Sequence, residues 1–220
     1  MDDRLLLIAA GGLARETAAV VARGLQWQLL GYLDDAPGLA GTTITGKPVL
    51  GGIGAIRQHP KARLLVCAGK GQTRRAIVGR LHELGVTDDR FATLVAPDVH
   101  VPASCSIGRG SIVLSGTVLT ADVRVGAHVV AMPGVVLTHD DVVGDYATLC
   151  AGVTLGGSVT VGEAAYLGMG ALVRERLKVG AESILGMGAV LLHDLPPGEI
   201  WAGLPAGSIR PPTQLEVGNR

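Results

Sequence analysis

The side chains able to do chemistry in this chain of 220 residues are few. There are six histidines, His59, His82, His100, His128, His139 and His193, and three cysteines, Cys67, Cys105 and Cys150. His82 and His193 are each followed by one carboxylate, Glu83 and Asp194, and only His139 by two in a row, Asp140 and Asp141. A carboxylate beside an imidazole orients the ring and raises its basicity, as a general base requires. A solvated histidine on a turn fits the same spacing. His59 and His82 lie in or near predicted helices, and the remaining three fall at positions expected to be exposed. A metal hydrolase would need three histidines converging on one ion, and nothing in the spacing here brings three together. The cysteines are odd in number, widely spaced and never paired as CxxC. That excludes a disulfide framework or a zinc ribbon and suits a reducing cytoplasm. A second constellation opens the chain: Gly11-Gly12 follows an apolar run, and Asp34-Asp35 comes about twenty residues later, as in a nucleotide cradle. Backbone N–H groups at a helix start would face phosphate, with a carboxylate on sugar or base hydroxyls. The dinucleotide fingerprint lacks its first glycine here. This leaves two readings, a site for one nucleotide or sugar diphosphate, or a purely structural turn.

The elements that position these residues follow from two periodicities. Reading in sixes from Val95, the first positions run Val95, Val101, Ile107, Val113, Leu119, Val125 and onward to Leu191 without insertion. Ala131 is the single departure from Val, Leu or Ile. Fifth positions are mostly small or β-branched, as at Cys105, Thr117, Val135, Ala147, Val159 and Ala189. One aliphatic and one small residue per six is the signature of a parallel β-helix. Glycines recur at 18: Gly116, Gly134, Gly152, Gly170 and Gly188 form one set, and Gly108, Gly126, Gly144, Gly162 and Gly180 another. Three hexads per coil give a triangular prism with glycine columns, where φ is positive or backbones crowd. Hairpins would need irregular spacing and NG or DG turns, which are absent. In this register His139 is the third residue of the hexad LTHDDV, with Ala121 one coil before and Gly157 one coil after, so open space is expected beside the ring. Asp141 takes a fifth position, where a buried acid is costly unless hydrogen-bonded. Either the register loosens there or the carboxylate is placed for function.

The first ninety residues alternate differently. Apolar strands are predicted over 4–10, 28–33, 63–68 and 91–95, with helices over 13–25 and 72–84. Alternating strand and helix means a small Rossmann-like parallel α/β domain. The expected division is an α/β domain over 1–94, a β-helix over 95–197 and a proline-rich cap over 198–220 that folds back on the last coil. The 19 Lys+Arg balance the 19 Asp+Glu, which argues against a nucleic-acid partner. Mean hydropathy is +0.41, yet no apolar run approaches the ~20 residues of a membrane span. The acidic opening MDDR is unlike a signal peptide.

These pieces together match a family. LIAAGGLARETA, GYLDD, GKPVLGG, VCAGKGQTRR, the unbroken hexads, THDDVVGDYATLCAGVTLGG and WAGLPAGSIR make the whole chain resemble the bacterial sugar acetyltransferases of the NeuD/PglD type. The resemblance implies a left-handed β-helix, a homotrimer, and acetyl-CoA lying between neighbouring β-helices. It implies N-acetylation of a nucleotide-linked amino sugar of the 4-amino-4,6-dideoxyhexose type, without a metal. O-acetylation of a sialic acid-like sugar, or a non-catalytic nucleotide-sugar-binding trimer, are the alternatives. By resemblance, His139 is the general base and Asp140 its acidic partner. Gly11, Gly12, Leu13, Asp34, Asp35 and Gly69 touch the nucleotide sugar, and Thr148, Met169 and Met187 touch acetyl-CoA. A backbone N–H near Gly157, grouped with the cofactor contacts, holds the oxyanion. Thr148 stands where some members carry a second histidine, Met132 replaces a polar residue, and Asp141 replaces a small interior one.

Overall fold

A computed structural model describes residues 3–24 and 26–209. Position 25, the first two residues and the cap beyond residue 209 lie outside the described residues. Three parallel strands, β1 (Arg4–Ile8), β2 (Gln28–Leu33) and β5 (Arg63–Val66), form a sheet in the order β2-β1-β5. Their side chains are buried almost throughout because helices cover the sheet: α1 (Gly12–Val21) follows β1 and α2 (Gly71–Glu83) follows β5. α1 turns Leu13, Ala14, Thr17, Ala18, Val20 and Val21 inward, the helical stripe an amphipathic segment buries. Between β2 and β5 the chain adds a small hairpin, β3 (Thr43–Ile44) with β4 (Lys47–Pro48), and a 3-10 turn over Ile53–Gln58. The sequence predicts neither, because two-residue strands leave no periodicity to read. The fourth predicted strand divides: Phe91 makes a single parallel bridge to Leu64 of β5, and β6 (Leu94–Val95) pairs with Ile112–Val113 of the solenoid.

From there the chain is a parallel β-helix with two-residue strands. The pairs Arg124↔Val142, Val130↔Thr148 and Val136↔Val118 are all 18 apart, giving three faces and about six turns. First-position residues point inward: Leu137, Leu149, Leu155, Leu167 and Leu185 are at most 1% exposed. Fifth-position Val135, Ala147, Val153, Val159 and Ala165 are fully buried with them. Each such Leu or Val contributes roughly 1.5–3 kcal/mol of burial, which replaces the aromatic filling this chain lacks.

The two glycine columns have different causes. Gly116, Gly134, Gly152, Gly170 and Gly188 have φ between +63° and +74°. The column of Gly108, Gly126, Gly144, Gly162 and Gly180 has no positive φ, but a Cβ would lie 2.3–2.9 Å from the next coil. The C-terminal segment 200–209 pairs with the last coil through Ile184↔Ile200 and Leu185↔Trp201, and Ala206 joins the core.

The α/β domain is held against the solenoid by Arg74, which is fully buried. Its guanidinium donates to the carbonyls of Ala68, Gly69, His128, Tyr146 and Ala147 and to Thr148 Oγ1, at 2.6–3.0 Å. Burial pulls its pKa down to about 10. Gly71 allows this approach, since a Cβ there would lie 2.1 Å from Tyr146 O. No helix among the described residues is long and apolar enough to cross a membrane.

Candidate active site

His139 sits where the strand Val136–Leu137 turns into Val142–Val143, at a corner of the prism. The turn closes because Asp140 adopts φ +63°, a conformation that Asp tolerates better than most residues. Asp140 N–H donates to Ala121 O (3.0 Å), and Ser158 N–H donates to His139 O (2.8 Å), so the turn is pinned to both neighbouring coils. Asp140 Oδ2 lies 2.9 Å from His139 Nδ1. That carboxylate selects the tautomer protonated at Nδ1 and leaves Nε2 with a lone pair. The His139 side chain is 65% exposed. The space expected beside the ring is filled by the ring itself, which lies over Gly157. A Cβ at Gly157 would be 2.3 Å from Nε2.

Asp141 keeps the hexad register: it is fully buried, and both oxygens accept backbone N–H groups, from Thr138 and Val159, at 2.8 Å each. Burial nonetheless pushes its pKa up to about 6. Of the two readings of this residue, the loosened register is therefore excluded.

Of the nucleotide constellation, Asp34 and Asp35 share one cavity, which Gly11, Gly12 and Gly69 do not line. A cavity of about 230 Å³ opens at the carboxyl ends of β1 and β2, lined by Ala9, Asp34, Asp35, Thr73 and Arg80 among others. This is where open α/β sheets bind ligands. Asp34 uses its oxygens on Ala10 N–H and Ala36 N–H (2.8 Å each), fixing the turn after β1. Asp35 accepts from Ile53 N–H and pairs with Arg80, both at 2.8 Å. The Ile53 bond, with the Arg80 guanidinium beside it, holds its carboxyl below the usual range. Gly11 and Gly12 are exposed at the start of α1, and no side chain caps that helix. Gly69 is exposed, but its carbonyl accepts from both Arg74 and Thr148.

Several expected contacts fall elsewhere. Leu13 is 7% exposed and packs into the α/β core, away from the residues that line the cavity. Thr148 is fully buried at the domain junction, donating to Gly69 O, because α2 covers its face of the solenoid. A cofactor on the surface does not reach it. His128 is buried at 3% exposure rather than exposed. It stacks on Tyr146 at 5.1 Å and meets Phe91 edge-on at 4.7 Å, and burial pulls its pKa down to about 4. Met132 is half-buried against the α/β core, while Met169 and Met187 stand 55% and 71% exposed, one coil apart. Sequence reasoning misses Arg74 and Arg80, although both lie in or just after the GKGQTRR stretch. No group of three His, Cys, Asp or Glu among the described residues could hold a metal ion.

Residues 4–81 match the PglD N-terminal domain. The acetyltransferase domain of PglB from Neisseria gonorrhoeae is 28% identical, with a TM-score of 0.84 over 94% of this chain and 100% of that one. It has also been solved with acetyl coenzyme A. PerB from Caulobacter crescentus, solved with CoA and GDP-perosamine, is 28% identical, with a TM-score of 0.85 over 94% and 97% of the two chains. WeeI from Acinetobacter baumannii is 26% identical, at 0.80 over 93% and 99%. No curated protein sequence matches the chain.

Proposed function

We propose that this chain, built on a PglD-type N-terminal domain and similar end to end to nucleotide-sugar N-acetyltransferases, is itself one. It transfers the acetyl group of acetyl-CoA to the amino group of a nucleotide-linked 4-amino-4,6-dideoxyhexose. The observation that carries this reading is the His139–Asp140 pair, with Asp140 on Nδ1 and Nε2 lying beside the bare backbone of Gly157.

As the sugar nitrogen attacks the thioester carbonyl, His139 Nε2 removes its proton, a role usually worth ~10²–10⁴ in rate. Asp140 supports the imidazolium that forms. Gly157 N–H, which bonds to no described residue, is the donor for the tetrahedral oxyanion. Collapse expels the CoA thiolate, which takes the proton back from His139. Gly11, Gly12 and the Asp35 cavity hold the nucleotide end, and Met169 and Met187 flank the CoA chain.

One chain does not unite these parts. The α/β domain packs at the corner of His128, Tyr146 and Ala164, whereas His139 stands at a different corner. The face joining the His139 corner to the Met169–Met187 corner presents Val118, Val136, Thr154, Leu172 and Val190, with Val118 and Leu172 over 40% exposed. Covering that apolar face with copies of the chain closes a homotrimer with cofactor grooves between subunits. Three free cysteines suit a cytoplasmic setting. The test is CoA release with UDP-, GDP- and dTDP-linked 4-amino sugars. Release with at least one, lost in His139→Ala, supports the reading. Release with none, or persisting in that variant, refutes it.

A further inference from the structure

Among the described residues, Asp141 is the only fully buried carboxylate. Its Oδ2 accepts Thr138 N–H in its own turn and its Oδ1 accepts Val159 N–H one coil on. Those two amides flank the proposed chemistry: Thr138 precedes His139, and Val159 follows Gly157 by two residues. The fold itself does not require a charge here. Ser111 satisfies the equivalent amide, Val129 N–H, with a hydroxyl at 2.9 Å. At Ala165 the amide turns to its own Gly162 O. The acid is also costly, since its burial penalises the ionised form. Of the titratable groups acting on it, His139 favours its charge and Asp140 opposes it. The coils on either side present Val123 and Val159 in the interior and Asp122, Ser158 and Arg176 along the corner.

Resting on the acetyltransferase reading above, we infer that Asp141 is a positioning residue. Its carboxylate locks the turn bearing His139 to the turn bearing Gly157, fixing the base relative to the oxyanion donor, and its charge supports the imidazolium. The interior position keeps that charge away from substrate while leaving it two residues from the base.

The test compares Asp141→Ser, which copies the hydroxyl arrangement of Ser111, with Asp141→Asn in the full chain, using acetyl-CoA and the best acceptor from the panel. Both variants should fold, with kcat reduced about tenfold to a hundredfold and both KM values within about twofold of wild type. The acid limb of kcat/KM should move to lower pH, because the charge that favoured the imidazolium is gone. Wild-type kcat in Asp141→Ser with an unmoved acid limb overturns the inference. So does a large loss of melting temperature in both variants with kcat per folded molecule unchanged, which is what a structural staple would give. His139→Ala, run in parallel, separates the two levels: turnover there overturns the base itself.

Discussion

Gly157→Ala isolates the contact between the base and the coil above it. The new Cβ would sit 2.3 Å from His139 Nε2, 2.4 Å from Cε1 and 3.0 Å from Cδ2. Carbon contacts relax near ~3.5 Å, so the ring must retreat by about 1 Å. The clash is with the far end of an exposed side chain, not with backbone, and Gly157 has no positive φ. The fold should therefore accept alanine with a stability change within about 1 kcal/mol. Activity should not, because a misplacement of about 1 Å costs on the order of a hundredfold, or about 2.7 kcal/mol of barrier. The substitution retains the N–H, so the loss reports on the position of the base. Steady-state CoA release gives kcat, and urea unfolding gives stability. In the double variant His139→Ala/Gly157→Ala the clash has no target, so that protein should be no slower than His139→Ala alone. A Gly157→Ala enzyme within about twofold of wild type would refute the placement of the ring.

Asp35→Ala should raise KM for the nucleotide sugar about tenfold with little change in kcat or in KM for acetyl-CoA, since a remote contact serves ground and transition states alike. Arg74→Leu removes six hydrogen bonds, to five carbonyls and a hydroxyl, at the domain junction and should lower unfolding free energy by about 3 kcal/mol or more in urea titrations. His128 has a folded pKa of about 4, below the free value of 6.5. Its contribution is complete above pH 6.5 and is lost as pH falls toward 4, about 3 kcal/mol in all. The pH slope of stability over that window should flatten in His128→Asn, and an unchanged slope would show that the ring is not held neutral. Asp141 has the opposite sign: its folded pKa is raised, so its contribution is present below pH 3.8 and lost as pH rises through 6. Light scattering should give three times the 22.5 kDa chain mass, and a 22.5 kDa particle at micromolar concentration would remove the shared groove.

The solenoid was legible in the sequence because its contacts repeat. A residue at position i meets i±18, so pointing inward or outward is encoded by register alone, and Leu155, Ala165 and Gly134 could be placed by counting. The same counting put Gly157 beside His139, and the adjacent Asp140 supplied the ring's partner. What the repeat does not carry is what packs on its outside. His128 reads as free surface and Thr148 as a cofactor contact, yet α2 and Phe91 bury them. Arg74 lies 54 residues from the His128 carbonyl it binds, and Arg80 is 45 residues from Asp35. No local pattern links such pairs, since they meet only when the two domains and the helices on the sheet have closed. Asp141 lies between these cases. Its interior position was fixed by the hexad, but whether an acid could be kept there depended on two amides, one of them a coil away, that only the stacked structure brings to it.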